Sequence, residues 1–159
     1  MIEITNYEFV TVTGPDAPAF LQGQVTCDVE KLEKNKALAG AICNLKGRVI
    51  ADFLLVLDGD DCVLRTQSGM AVIIKNTLEK YAIFSKVKLS IETRFNKVLG
   101  MSADEDAEFL TKIIQKSPKS ALDCHISTNA IFVRLPGNDK RLEVWVRDEK
   151  QFDDWVVNH

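Results

Sequence analysis

Apolar and polar positions succeed one another along the first ninety residues with the periods of strands and helices. Period-two alternation predicts strands at 8–13 and 87–91, and runs of largely apolar residues next to turns predict strands at 37–43, 49–57 and 62–66. Helical spacing predicts helices at 16–22, where Pro15 suits a first turn, and over about 13 residues after Gly69. The predicted order is strand, helix, three antiparallel strands, helix, strand.

The residues from Thr93 onward repeat this mixture of periods. Strands are predicted at 97–101, 124–127, 130–135 and 141–147, and helices at 104–115 and 149–157. The order βαβββα, or βαββα, is typical of an α+β layer. We therefore predict an α+β protein with antiparallel or mixed sheets and helices packed on them. Its two domains are expected at 1–93 and 94–159, the second ferredoxin-like and lacking its closing strand.

Composition and charge exclude several classes of protein. A chain of 159 residues with 46% hydrophobic and 27% charged residues is typical of a globular protein. A net charge of -3 argues against direct nucleic-acid binding. No apolar run is long enough to cross a membrane, and the N-terminus lacks a secretory signal, so we expect a cytoplasmic protein. The four cysteines match no metal or redox spacing, so no metal is expected.

Polar side chains interrupt the apolar pattern between Phe20 and Leu57 and predict a binding surface. One group follows the first helix, and a second lies at the tip of the hairpin between strands 37–43 and 49–57. Each has a local alternative. Asp28 can brace its own loop, Asn44 can hold a turn, and Tyr81 can pack in the core. Asp52 interrupts an apolar strand on the face of Ile50 and Leu54, which slightly favours a partnered carboxylate.

Three strings of residues carry a resemblance to a known family. They read TGPD with FLQGQVTCDV at 13–16 and 20–29, NLKGRVIADFLL at 44–55, and KYAIFSKV at 80–87. These strings resemble the N-terminal half of the YgfZ-type folate-binding proteins. That family is related to GcvT, the aminomethyltransferase of the glycine cleavage system. The resemblance is strong over residues 5–95 and beyond them rests on the order of elements.

The resemblance implies a tetrahydrofolate-binding protein that assists the assembly or repair of iron–sulfur clusters and, through it, tRNA modification. It implies GcvT/YgfZ-like N-terminal folate-binding modules, here incomplete. Folate and iron–sulfur proteins are the implied partners, with no membrane partner. An incomplete channel would leave an apolar wall exposed, through which a homodimer can form.

The polar cluster offers the groups that folate binding requires. Asp28 and Asp52 can accept from the pterin edge, Lys46 and Arg48 can meet the glutamate carboxylates, and Tyr81 can stack. The expected folate-binding residues are Gln22, Gln24, Asp28, Asn44, Lys46, Arg48, Asp52 and Tyr81.

Two departures from the family pattern bear on function. The diagnostic Lys-Gly-Cys-Tyr motif is absent, which predicts a truncated form. Ala51 stands where the transferase has the first of two aspartates, so Asp52 is only a weak catalytic candidate. We expect a binding or assembly protein rather than a turnover enzyme. The alternatives are an aminomethyltransferase-like enzyme and a folded fragment that binds no folate.

Overall fold

Two compact units make up the computed structural model, which describes residues 1–137 and 140–158. One unit is Asn6–Glu92, and the other combines Met1–Thr5 with the described residues from Thr93 onward. Residues 138, 139 and 159 of the expected second domain lie outside the described residues. No helix in the described ranges combines the length and apolar character that crossing a membrane demands.

The elements follow one another closely along the chain. The strands are β1 (Ile2–Ile4), β2 (Tyr7–Thr13), β3 (Leu38–Cys43), β4 (Val49–Asp58), β5 (Asp61–Gln67), β6 (Lys88–Glu92), β7 (Lys97–Ser102), β8 (Cys124–Ile126), β9 (Ala130–Arg134) and β10 (Arg141–Val146). The helices are α1 (Ala17–Gln22), α2 (Met70–Glu79), α3 (Ala107–Ile113) and α4 (Glu149–Val157), with one 3-10 turn at Val29–Lys31.

The unit Asn6–Glu92 is a five-stranded antiparallel sheet in the order β3-β4-β5-β2-β6. Its core forms where one sheet face meets α1 and α2. The members include Phe53 and Leu55 of β4, Leu64 of β5, Leu21 of α1 and Ile74 of α2. The alternation of β4 places every second side chain on this face. The predicted α+β class with antiparallel sheets is confirmed.

Helix α2 has ten residues and ends at Glu79, earlier than its apolar pattern predicted. The chain continues in single turns, because the Tyr81 N–H donates to the Leu78 carbonyl and the Ala82 N–H to the Glu79 carbonyl. The expectation that Tyr81 can pack in the core is wrong, since its side chain is 52% exposed. Because the chain leaves the helix after Glu79, the Tyr81 side chain does not continue the apolar face of α2.

The second unit is a five-stranded antiparallel sheet in the order β1-β7-β10-β9-β8. Helices α3 and α4 pack on one face through Leu110 and Phe152 against Leu99, Phe132 and Val144. The observed order from β7 is βαβββα. Strands β7, β10 and β9 have the order and directions of a ferredoxin-like module, with β8 added at an edge.

Strand β1 lies beside β7, where a ferredoxin-like module has its closing strand. Ile2 pairs with Gly100 and Ile4 with Val98. A Cβ atom on Gly100 would come within 3.1 Å of Ile4 Cδ1 and 3.2 Å of Ile2 Cγ1, so glycine makes room for both isoleucines. The sequence pattern did not reveal β1. Residues 1–5 therefore belong with the second unit, whereas the expected boundary placed them in the first.

Candidate functional site

The polar loop after α1 is braced by its own side chains. Gln22 Nε2 donates to Asp28 Oδ1 at 3.2 Å, and the Val29 N–H donates to Gln22 Oε1 at 2.6 Å. Asp28 Oδ1 also accepts from the Glu30 N–H and caps the 3-10 turn. Two of the predicted folate-binding side chains, Gln22 and Asp28, thus hold the loop that contains them.

The hairpin tip between β3 and β4 is an Asx turn. Asn44 Oδ1 accepts from the Lys46 N–H at 2.9 Å and from the Arg48 N–H at 3.0 Å. Gly47 has φ 75°, which glycine adopts without strain. The side chains of Lys46 and Arg48 are exposed, and neither forms an ion pair with a described residue.

A cleft of about 220 Å³ lies between the hairpin tip and the end of α2. Gln24, Asn44 and Tyr81 line it, so three of the eight predicted residues lie together. The remaining lining residues are Ile42, Cys43, Leu45, Ile50, Thr77, Leu78 and Lys80. The cleft is therefore apolar in part, with amides and one cation at its walls. Ile50 joins this side because the β3–β4 register shifts between Ile42 and Cys43.

Asp52 lies on the sheet face opposite the helices, away from that core. It pairs with Ala41 of β3, and its side chain is exposed. The expectation of a partnered carboxylate is wrong: no described residue bonds to it, because the small Ala41 side chain opposite leaves it open to solvent. Leu54, two residues further along the strand and on the same face, is 6% exposed. Asp52 thus combines a carboxylate with an apolar neighbour.

A cation and an aromatic ring on this same face were missed by the sequence analysis. Arg65 of β5 pairs directly with Leu54, and its guanidinium carbon lies 4.0 Å from the centre of the Tyr7 ring. The sequence of β5 could have indicated Arg65, because successive side chains of a strand point to opposite faces and Leu64 before it is buried. The face therefore carries an exposed carboxylate and a half-buried, stacked guanidinium, with the buried Leu54 beside them.

The second unit contains a buried carboxylate that the sequence analysis also missed. Glu143 is 1% exposed and accepts from the Trp145 indole N–H at 3.0 Å. Trp145 is fully buried and packs edge-to-face with Phe95 at 6.2 Å. The signal was a lone acidic residue within the apolar run of β10.

The cysteine thiols pack among other side chains and do not form a cluster with one another. Burial, followed by the nearby Asp61 charge, raises the pKa of Cys62 to about 11. Burial also raises the pKa of Cys27, whose Sγ packs over Gly40. Across residues 1–137 and 140–158, no three His, Cys, Asp or Glu side chains come together as a metal site would require.

Known proteins similar to this chain fall into two groups. No protein-family model matches the chain. The tRNA-modifying protein YgfZ of Vibrio vulnificus is 36% identical over 110 residues, covering 68% of this chain and 34% of that protein. The YgfZ protein of Aliivibrio fischeri is 32% identical over 110 residues, with shares of 69% and 34%. That of Photorhabdus laumondii is 28% identical over 138 residues, with shares of 86% and 42%.

A solved structure shares the fold. The glycine cleavage system aminomethyltransferase T from Bartonella henselae superposes with a TM-score of 0.80 over 98% of this chain and 44% of that chain, at 16% identity. At this identity the match shows the fold alone. The matched part of the chain covers about a third of the length of the YgfZ relatives of Vibrio and Aliivibrio. The sequence matches show that the chain belongs to the YgfZ-type family, and the chain shares its fold with the aminomethyltransferase structure.

Proposed function

We propose that this chain is a tetrahydrofolate-binding protein of the YgfZ type that assists iron–sulfur cluster assembly or repair in the cytoplasm and, through it, tRNA modification. The observation that carries the proposal is the match to tRNA-modifying YgfZ proteins over two thirds of the chain. Iron–sulfur proteins are the proposed clients. We propose that full-length proteins of this family act on them.

The Asp52 face suits the pterin end of folate. A pterin presents N–H groups along one edge and a flat apolar body. An exposed carboxylate can accept from that edge, and a charge-assisted pair of this kind is stronger than a neutral one. The half-buried Arg65 guanidinium, on the neighbouring strand of the same face, adds a flat surface for the pterin body. When bound, the folate would supply a one-carbon carrier, and the chain's own part is to hold and orient it.

The cleft at the hairpin tip suits a whole folate less well. Its volume of about 220 Å³ lies below the range of about 300–1,000 Å³ that is usual for pockets holding complete small molecules. We therefore propose Asp52 as the principal pterin contact. Lys46 and Arg48 remain candidates for the glutamate tail, because both side chains are exposed cations.

Calorimetric titration of tetrahydrofolate into the chain tests the proposal. Asp52→Asn keeps the size of the side chain and removes its charge, so we expect it to weaken binding by about tenfold or more. Asp60→Asn is the matched control, since Asp60 is an exposed carboxylate in the β4–β5 turn. Lys46→Ala tests the tail contact and is expected to weaken binding less.

Two results would contradict the proposal. If Asp52→Asn and Asp60→Asn bind tetrahydrofolate alike, Asp52 is not the pterin contact. If the folded chain shows no heat at millimolar folate, the non-binding fragment is the better account. The aminomethyltransferase alternative is supported by the shared fold alone. Ala51 stands where that enzyme would have a carboxylate, so we do not adopt the alternative.

A further inference from the structure

Two exposed side chains with apolar surface line the cleft of about 220 Å³ between the hairpin tip and α2. Leu45 at the tip is 97% exposed, and Tyr81 on the opposite wall is 52% exposed. Ile83 and Phe84 follow Tyr81 in the chain and are 77% and 100% exposed. Apolar groups concentrated around one concavity mark an interaction site more strongly than the same groups scattered singly.

The charges around this cleft have one sign. Lys80 lines it, and Lys46 adjoins Leu45 at the tip. None of the ten lining residues is acidic, and Glu79 beside Lys80 is paired with Lys75 at 2.7 Å. Neither Lys46 nor Lys80 has an ion-pair partner among the described residues. The cleft is thus locally basic on a chain whose net charge is -3.

The size of the cleft discriminates between occupants. It is too small for a complete folate but has room for one large apolar side chain, of the kind that anchors protein interfaces. A flat lipid surface would leave the cleft unfilled. The net charge of -3 disfavours a single-stranded nucleic acid, which needs a positively charged groove along its backbone. A second copy of the chain would oppose Lys46 and Lys80 to the same cations.

We propose that this cleft docks an acidic segment of another protein, with one large apolar side chain inserted against Ile42, Ile50 and Leu78. Carboxylates on either side of the anchor would meet Lys46 and Lys80, and Leu45 and Tyr81 would cover its edges. The site is separate from the Asp52 face, and it shares Lys46 with the proposed contact to the glutamate tail of folate.

Fluorescence anisotropy with a short labelled peptide tests the proposal. The probe has a central Phe-Leu pair with Asp and Glu on both sides, and its analogue carries Asn and Gln instead. We expect the acidic probe to bind the chain and the neutral analogue to bind more weakly. Lys80→Glu should weaken the acidic probe by about fivefold or more, because it reverses a rim charge. Leu45→Ser should weaken it by about tenfold, because it removes apolar contact.

Matched variants keep the test specific. Lys34→Glu makes the same charge change at an exposed position elsewhere, and Val157→Ser makes a comparable apolar loss at an 84% exposed site. Both should bind the probe as the parent chain does, and so should Asp52→Asn. Equal binding of the acidic and neutral probes would overturn the proposal. So would loss of anionic-vesicle or poly-uridine binding on Leu45→Ser while the peptide is unaffected.

Discussion

The Gln22 side chain and the Asp28 side chain form one hydrogen-bonded brace, with Gln22 Nε2 donating to Asp28 Oδ1 at 3.2 Å. The other end of the same amide accepts from the Val29 N–H at 2.6 Å. The seven-residue segment from Gln22 to Asp28 is therefore closed at its two ends by side chains, and its polar residues serve the loop before they serve any ligand.

Gln22→Ala should lower the free energy of unfolding by about 1 kcal/mol, because both hydrogen bonds of the amide are lost. Gln24→Ala is the control, since no described residue bonds to the Gln24 side chain. Urea unfolding followed by circular dichroism measures both. Equal losses in the two variants would mean that the brace contributes nothing.

Gly40→Ala should destabilise the first unit by about 2 kcal/mol, because a Cβ there would lie 2.7 Å from Cys27 Sγ and 2.8 Å from Phe53 Cζ. Gly23→Ala provides the comparison, since its nearest contact would be the Phe20 carbonyl at 3.6 Å. Thermal unfolding of both variants checks the difference. A Gly40→Ala protein as stable as Gly23→Ala would show that the strand shifts without cost.

Trp145→Phe should cost about 1–3 kcal/mol of unfolding free energy, because it removes a hydrogen-bond donor from the buried Glu143. Glu143→Gln keeps an acceptor for the indole and should cost less, whereas Glu143→Leu leaves the indole N–H without that acceptor. Urea unfolding of the three variants measures the order. If Glu143→Leu is the most stable of them, the bond does not stabilise the unit.

Stability should fall in alkaline solution through Cys62. Burial raises the pKa of its thiol from the ordinary 9.0 to about 11, so the unfolded chain ionises first as the pH rises. The contribution is complete below about pH 9 and is lost between about 9 and 11, by an amount on the order of 2 kcal/mol.

Urea midpoints at several values of pH between 8 and 11 test this prediction. Cys62→Ala should flatten the decline, and Cys124→Ala should retain it, because the other titrating groups are common to both variants. A Cys62→Ala protein with an unchanged pH dependence would assign the decline to other groups.

Local pattern predicted the elements better than it predicted the site. The hairpin of β3 and β4 was clear because alternation and a polar tip agree over a short separation. Strand β1 was invisible because three residues carry too little period, and its partner Val98 comes 94 residues after Ile4. The exposure of Tyr81 depends on turns after α2 that helical spacing does not encode.

The candidate folate-binding residues lie at separate places in the structure, and the sequence alone did not show this separation. Alternation placed Asp52 correctly relative to Leu54, but only the pairing with Ala41 shows that its carboxylate reaches solvent. Asn44 and Tyr81 line the same cleft, and the β3–β4 ladder that leads to the hairpin tip shifts register between Ile42 and Cys43. Such a shift in a ladder leaves no signature in residue type alone.

The pairing of β1 with β7 sets a condition on synthesis at the ribosome. Ile2–Ile4 is translated before Asn6–Glu92, whereas its partner strand, Lys97–Ser102, is translated only after it. During that interval these three residues, two of which are isoleucines, have no partner strand with which to pair. An affinity tag placed close to Ile2 would therefore act on a pairing that can close only after β7 has been made.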